Sequence, residues 1–365
     1  MTSSPATAQG IDSGTIQPGG TMRGLIKHRA GSGLRFVDDR PIPEPGPRDV
    51  RIRVTKAGIC GTDRHIWEWD DWAAGRVPVG IITGHEFVGI IDKVGSAVTR
   101  YRPGQRVSAE GHLTAGQDYL SQTGNAHIAS DTVIFGIDRD GCFADHIVVP
   151  EANVWPVHPE ISDEVAAVFD PLGNAVHTVM AAGVSSKNVL ISGVGIIGLM
   201  AVTVAKAAGA AKVFCTDINP PRLELAKELG ACGAFDASDD DWIGEVRGQT
   251  YEGVDVLLEM SGSPHAMDQG FRALRNGGTA ALLGLPAKRV NFDFNSHIIF
   301  KGCTVLGING RRMWDTWYQM ERLLLSGHVE LGDIITHEFP MEDYERAFET
   351  MISGEGIKVL LDMTR

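Results

Sequence analysis

The chain predicts an α/β protein in two parts: an irregular antiparallel, barrel-like domain and a doubly wound parallel sheet. Three observations lead there. From about residue 23 to 155, short β-branched runs are punctuated by Gly and Pro. Between roughly 171 and 313, strands alternate with helical stretches. A glycine turn between a strand and an Ala-rich helix sits inside that second region, where a doubly wound sheet needs one.

Taken in order, residues 1–21 are small, polar and rich in Gly and Pro, with no apolar centre, and read as a disordered extension. DVRIRV (49–54), GIIDKV (89–94), QRVSA (105–109) and FADHIVV (143–149) read as barrel strands. The second region supplies VLIS (189–192), KVFCTD (212–217), VDVLLEM (254–260), GTAALLG (278–284) and CTVLGI (303–308) as parallel strands. Helices are expected around WDTWYQMERLLLSG and YERAFETMISG near the C-terminus. The change of rhythm sets 22–170 apart from 171–313, with 314–365 following as a C-terminal segment.

Two motifs carry chemistry. Cys60 in AGICGTDRH, followed by His85 and Glu86 in TGHEFVG, brings together a thiolate, an imidazole and a carboxylate, the donor types of a catalytic zinc site that keeps one position open. Each residue also has a plain reading, as a small buried hydrophobe or a loop histidine. The second motif weighs against that. Gly193, Gly195 and Gly198, with Ile197 just before the last, form Gly-x-Gly-x-x-Gly between a strand and a helix, and Asp217 closes the next strand. Such a turn lets a pyrophosphate approach backbone N–H groups at a helix N-terminus, while Asp217 accepts from a ribose 2′-hydroxyl. Arg222 lies nearby and suits a 2′-phosphate, but the aspartate would repel one, so NAD is expected over NADP.

Those motifs resemble the zinc-dependent medium-chain alcohol dehydrogenases from about Met22 onward. CGTDRHIWEWDDW (60–72), AEGH (109–112), FDPLGNAVHT (169–178), LEMSGSP (258–264) and IIFKGCTVLGINGRRMWDTWY (298–318) bring the chain nearest to members that oxidise the 3-hydroxyl of L-threonine. The resemblance implies a GroES-like catalytic domain of 22–170 and 314–365, onto which the C-terminal helices fold back, and a Rossmann NAD domain of 171–313. It implies Cys60, His85 and Glu86 as zinc ligands, and Asp170 as a further ligand or near-ligand. It also implies Thr62 and His65 as a proton relay and His112 as a pocket-lining histidine. His177 reads as a packing histidine, and Arg311 and Arg312 are guesses for a substrate carboxylate. Trp67, Trp69 and Trp72 suit either a cleft wall or a subunit contact.

One departure stands out. Where relatives place four cysteines around a structural zinc, this chain has Ala115, Asp118, Ser121 and Ala129, with His127 nearby. One catalytic zinc per subunit is therefore expected, with no structural zinc. The expected reaction is NAD-dependent oxidation of a small-molecule secondary alcohol. The alternatives are another polar alcohol (polyol, diol, aminocyclitol or other β-hydroxy amino acid) or a catalytically lapsed NAD-binding relative.

Composition bounds the rest. At 365 residues and 43% hydrophobic the chain fills two cores. A formal charge of −13 argues against nucleic acid and anionic membranes as partners. No apolar run reaches the roughly 18 to 20 residues that span a bilayer. Five cysteines, at 60, 142, 215, 232 and 303, form no paired framework, and a reducing cytoplasmic location is expected. A homo-oligomer, tetramer or dimer, is expected as well.

Overall fold

The computed structural model describes residues 20–365. Most of the expected extension over residues 1–21 thus lies outside the described residues, and its last residue, Thr21, already opens the strand Thr21–Ile26. That strand pairs with Arg35–Pro41 in a two-stranded sheet.

The first domain is built on a seven-stranded sheet. Its path runs Ile335–Pro340, Lys358–Asp362, Asp49–Ile59, Glu86–Val94, Arg106–Ala109 and Val154–Pro156, with His146–Pro150 also paired to Asp49–Ile59. Alternation explains the central strand: Val50, Ile52 and Val54 are buried while the intervening arginines reach outward. All pairs are antiparallel except Ile335–Pro340 with Lys358–Asp362. That parallel pair departs from the expected antiparallel barrel, and it is joined through the helix Tyr344–Ser353, the crossover a parallel connection needs.

The second sheet has six parallel strands in the order Gly233–Asp236, Lys212–Asp217, Asn188–Ser192, Val254–Glu259, Leu274–Leu282 and Thr304–Gly307. Numbered along the chain this is 3-2-1-4-5-6, the doubly wound order. The edge strand Gly233–Asp236 is absent from the strands read in sequence, because its GAFD carries too little apolar signal. The order reverses between Asn188–Ser192 and Val254–Glu259, and ligands of such sheets bind beyond the C-terminal ends of the strands there.

The helix Phe169–Ala182 joins the two parts. Phe169, Leu172, Val176 and Val179 are buried in an apolar cluster that also contains Val189, Ile191 and Leu199 from the parallel sheet and its first helix, and Val88 and Leu360 from the barrel. The helix Asp315–Leu325 buries Trp317 and Met320 in the same cluster. Trp67 stacks on Phe348 at 4.5 Å, and Lys27 lies over the Trp69 ring. Both indoles belong to the barrel packing, whereas Trp72 is 40% exposed.

Residues 114–132 form a small lobe held by side chains where the sequence lacks thiolates. Asp131 accepts from Thr114 Oγ1 at 2.6 Å and from the Ala115 amide at 2.9 Å. Asp118 caps the short helix Tyr119–Gln122 and bonds the Ser121 hydroxyl, which lies 3.3 Å from Thr114 Oγ1. These bonds satisfy turn amides that a metal knuckle would otherwise organise.

Candidate active site

Cys60 follows the longest barrel strand, Asp49–Ile59, and caps the helix Gly61–Glu68. The Asp63 carboxylate accepts from the Cys60 amide at 3.0 Å and fixes the start of that helix, so CGTD is a local device for aiming one thiol. His85 follows Gly84, whose φ of +86° and packing against the Phe143 ring leave no room for a side chain. Glu86 opens the neighbouring strand opposite Gly58. A Cβ on Gly58 would come within 2.5 Å of Glu86 Oε2, so glycine makes the space for that carboxylate and its partner Lys358.

Cys60 Sγ lies 3.3 Å from His85 Nε2, and one donor atom from each of Cys60, His85 and Glu86 falls within 4.8 Å of the others. A tetrahedral zinc with Zn–S of about 2.3 Å and Zn–N of about 2.05 Å separates sulfur and nitrogen by about 3.6 Å. The cluster therefore fits zinc with little adjustment. Asp170 is not one of that close group. Its carboxylate is 2.5 Å from Arg311 Nη1, although it lines the same cavity.

Charge explains why these side chains tolerate burial. Burial pushes the Cys60 thiol up, and the charges of Asp63 and Glu86 push it further. Burial also raises the Glu86 carboxyl to about 7, with Lys358 opposing and Asp170 adding to the rise. Glu110, fully buried, would rise for the same reason. The Arg311 guanidinium at 2.6 Å and the His112 ring at 2.8 Å outweigh burial and hold it at about 2. Trp317 Nε1 donates to its other oxygen at 2.8 Å. With Cys60 as thiolate, five negative side chains (Cys60, Asp63, Glu86, Glu110 and Asp170) stand against two cations, Lys358 and Arg311. A divalent ion offsets most of that excess.

The glycine turn meets this cluster directly. A cavity of about 320 Å³ is lined by Cys60, Thr62, His85, Glu86, Asp170 and Asn174 on one side and by Gly195, Ile196, Ile197 and Gly198 on the other. Gly193 has φ of +88° and lies so close to Ser261 that a Cβ would clash at 2.7 Å. Gly195, the N-cap of the helix Ile196–Ala207, faces open space. An anion at that N-terminus meets free amides, so a dinucleotide pyrophosphate fits. Asp217 accepts from the Val194 amide at 2.8 Å and the Asn219 amide at 2.9 Å, which ties it to the turn. Arg222 stands in the first turn of the helix Pro220–Glu228.

Other expected residues are placed differently. Thr62 lines the cavity, whereas His65 lies outside it, 56% exposed, with Nδ1 at 2.6 Å from Asp70. His112 pairs with Glu110 and approaches Gly310 rather than lining the cavity beside Cys60. His177 bonds the Gly310 carbonyl at 2.9 Å and meets His127 edge-on, in keeping with a packing role. Arg311 is buried and bound on both sides by Glu110 and Asp170, so it is not free for a substrate carboxylate. Arg312 is exposed, with Nε 3.4 Å from the Gly124 carbonyl.

Lys358, Glu110, Trp317 and Asn174 escaped the sequence reading. Lys358 opens KVLLD, an apolar run in which one lysine looks like an edge residue. Glu110 precedes His112 in AEGH, and nothing local ties it to an arginine 201 positions away.

Residues 46–159 match the family model of the alcohol dehydrogenase GroES-like domain, and residues 197–326 match that of the zinc-binding dehydrogenases. The chain belongs to the zinc-dependent medium-chain alcohol dehydrogenases, enzymes that pair a catalytic metal with a nicotinamide dinucleotide. Within them it is most like the L-threonine 3-dehydrogenases. That of Chromobacterium violaceum is 44% identical over 343 residues, covering 93% of this chain and 99% of the relative. Among solved structures, galactitol-1-phosphate dehydrogenase from Escherichia coli superposes with a TM-score of 0.86 at 28% identity, covering 93% of this chain and 100% of that one. A zinc-binding dehydrogenase from Sinorhizobium meliloti bound to NADP superposes with a TM-score of 0.84 at 29% identity, covering 94% and 99%.

Proposed function

We propose that the chain oxidises the 3-hydroxyl of L-threonine to 2-amino-3-oxobutanoate, with NAD as hydride acceptor and Cys60, His85 and Glu86 as the zinc ligands. The carrying observation is that these three donors and the Gly195–Gly198 turn line one cavity, in a chain 44% identical to an L-threonine 3-dehydrogenase over nearly its whole length. Bound zinc supplies Lewis-acid stabilisation of the alkoxide from which hydride leaves.

The remaining work falls to the chain's own residues. Thr62, in the cavity wall, takes the substrate hydroxyl proton while giving up its own toward the solvent side. His65 follows it by three residues on the same helix face and sits at the solvent end. Asp70 accepts from His65 Nδ1, which leaves Nε2 free to take up a proton and hand it to solvent. Asp217 favours NAD by accepting from the ribose hydroxyls and repelling a 2′-phosphate. Lys358 neutralises Glu86 within the buried site.

A second reading keeps the same chemistry on an uncharged diol or polyol. It is favoured by the engagement of Arg311, which leaves no buried guanidinium for a carboxylate. A homo-oligomer is supported by the outer strand Thr304–Gly307, which has no partner beyond it among the described residues and lies near exposed Phe294, Ile299, Phe300 and Val305. Among the described residues no helix is long and apolar enough to cross a membrane. A cytoplasmic setting is supported by the free cysteines, Cys142 and Cys215 being buried.

NADH formation from L-threonine, D-threonine, L-serine, 2,3-butanediol and sorbitol tests the reading. Selectivity for L-threonine supports it, while turnover of diols or polyols alone moves the chain to the second reading. Cys60→Ala should abolish turnover yet bind NAD. Full activity in that variant refutes the metal assignment.

A further inference from the structure

Resting on the L-threonine reading, we infer that Asn174 and Asp170 form the subsite for the substrate ammonium group, and that Asn174 is a specificity-determining residue. Both lie on the helix Phe169–Ala182, four residues apart and therefore on one face. Both line the cavity that holds Cys60, His85 and the glycine turn.

Each side chain presents an acceptor oxygen that no donor among the described residues takes up. Asn174 Oδ1 is buried with no hydrogen-bond partner, a condition that native structures rarely leave unfilled. Asp170 gives one oxygen to Arg311; its other oxygen makes no hydrogen bond among the described residues. A carboxamide oxygen and a carboxylate oxygen one helical turn apart ask for a ligand with several N–H donors and positive charge. An ammonium has three donors and no acceptor. A carboxylate placed there would meet Asp170 and the fully buried Glu86, and a hydroxyl would use only part of the donor demand. An amino alcohol bound with its ammonium on Asn174 and Asp170 directs its hydroxyl toward the neighbouring Cys60 and His85. The same groups disfavour polyols, which bring no cation to Asn174 Oδ1 and the second Asp170 oxygen.

The other source of N–H donors in this cavity is the nicotinamide carboxamide, and the test separates the two. Binding to the zinc-loaded enzyme is followed by NADH fluorescence, first for NADH alone. L-threonine and 3-hydroxybutanoate, the same alcohol without the ammonium, are then compared on the enzyme–NADH complex. Asn174→Leu should weaken L-threonine roughly 10- to 100-fold, the loss of one charge-assisted bond. It should leave NADH and 3-hydroxybutanoate within about twofold of the wild type. Asn174→Asp, which keeps the acceptor and adds charge, should restore L-threonine binding, and it carries the test if the leucine variant does not fold. Weakened NADH binding with an unchanged threonine-to-hydroxybutanoate ratio assigns Asn174 to the cofactor and overturns the inference. Loss of threonine binding in Asn174→Asp does the same. A wild-type enzyme that ignores L-threonine but oxidises 2,3-butanediol refutes the threonine reading itself, before any variant is measured, and the inference falls with it.

Discussion

Arg311→Met removes the one guanidinium that joins Glu110 to Asp170. Arg311 is 1% exposed, Glu110 is fully buried and Asp170 is 15% exposed at the side chain, so the pair is shielded from solvent. Removing one partner of a buried ion pair typically costs about 3–5 kcal/mol, because the other charge is left uncompensated. Two features place this case near the lower end. Glu110 keeps Trp317 Nε1 and the His112 ring, and Asp170 has some access to water. A loss of about 3 kcal/mol corresponds to a fall in Tm on the order of 5 °C for a chain of this size. The double variant Glu110→Gln/Arg311→Met should recover at least half of that loss, since a neutral amide at 110 needs no cation. The pH dependence follows the same logic. Glu110 is held at about 2 in the folded protein, below its unfolded value. Its contribution is present above roughly pH 4.3 and is lost as pH falls toward 2. In Arg311→Met this acid-sensitive part should shrink. Differential scanning calorimetry of the wild type, the single variant and the double variant between pH 3 and 7.5 measures it. A single variant within 1 °C of the wild type, or a double variant less stable than the single one, refutes the reasoning.

Asp217→Ser should raise the Kd for NAD roughly 10-fold or more and narrow the preference over NADP, since a charge-assisted bond to the ribose is lost; unchanged preference in titration calorimetry counts against the assignment. Elemental analysis of pure, folded enzyme should give about one zinc per subunit, because the lobe at 114–132 is closed by Asp118, Ser121 and Asp131 without thiolates. Two tightly held zincs contradict this. His127 is held at about 4 by burial, with the charges of His177 and His112 adding. Its folded value lies below the unfolded one, so stability should fall as pH drops from about 6.5 toward 4, where the unfolded chain binds the extra proton. Hydrogen-exchange protection in the lobe, corrected for the slower intrinsic exchange at low pH, should fall over that window, and His127→Gln should remove the effect; equal pH dependence in the variant argues against it.

The sequence by itself determined what depends on short-range pattern. The switch from punctuated β-branched runs to alternating strands and helices was enough for two architectures. The Gly193–Gly198 turn between a strand and a helix was legible, because φ and close approach at Gly193 are local demands. Cys60, His85 and Glu86 were legible through residue type and the turns that carry them. The tertiary structure alone decided what depends on charges meeting across the chain. Lys358 reaches Glu86 because its strand lies beside Asp49–Ile59. Arg311 reaches Glu110 and Asp170 because the segment before the helix Asp315–Leu325 folds against Phe169–Ala182. No periodicity encodes such pairs. An ionised group can be buried only where an opposite charge arrives, and for Glu86 and Glu110 that charge comes from residues hundreds of positions away.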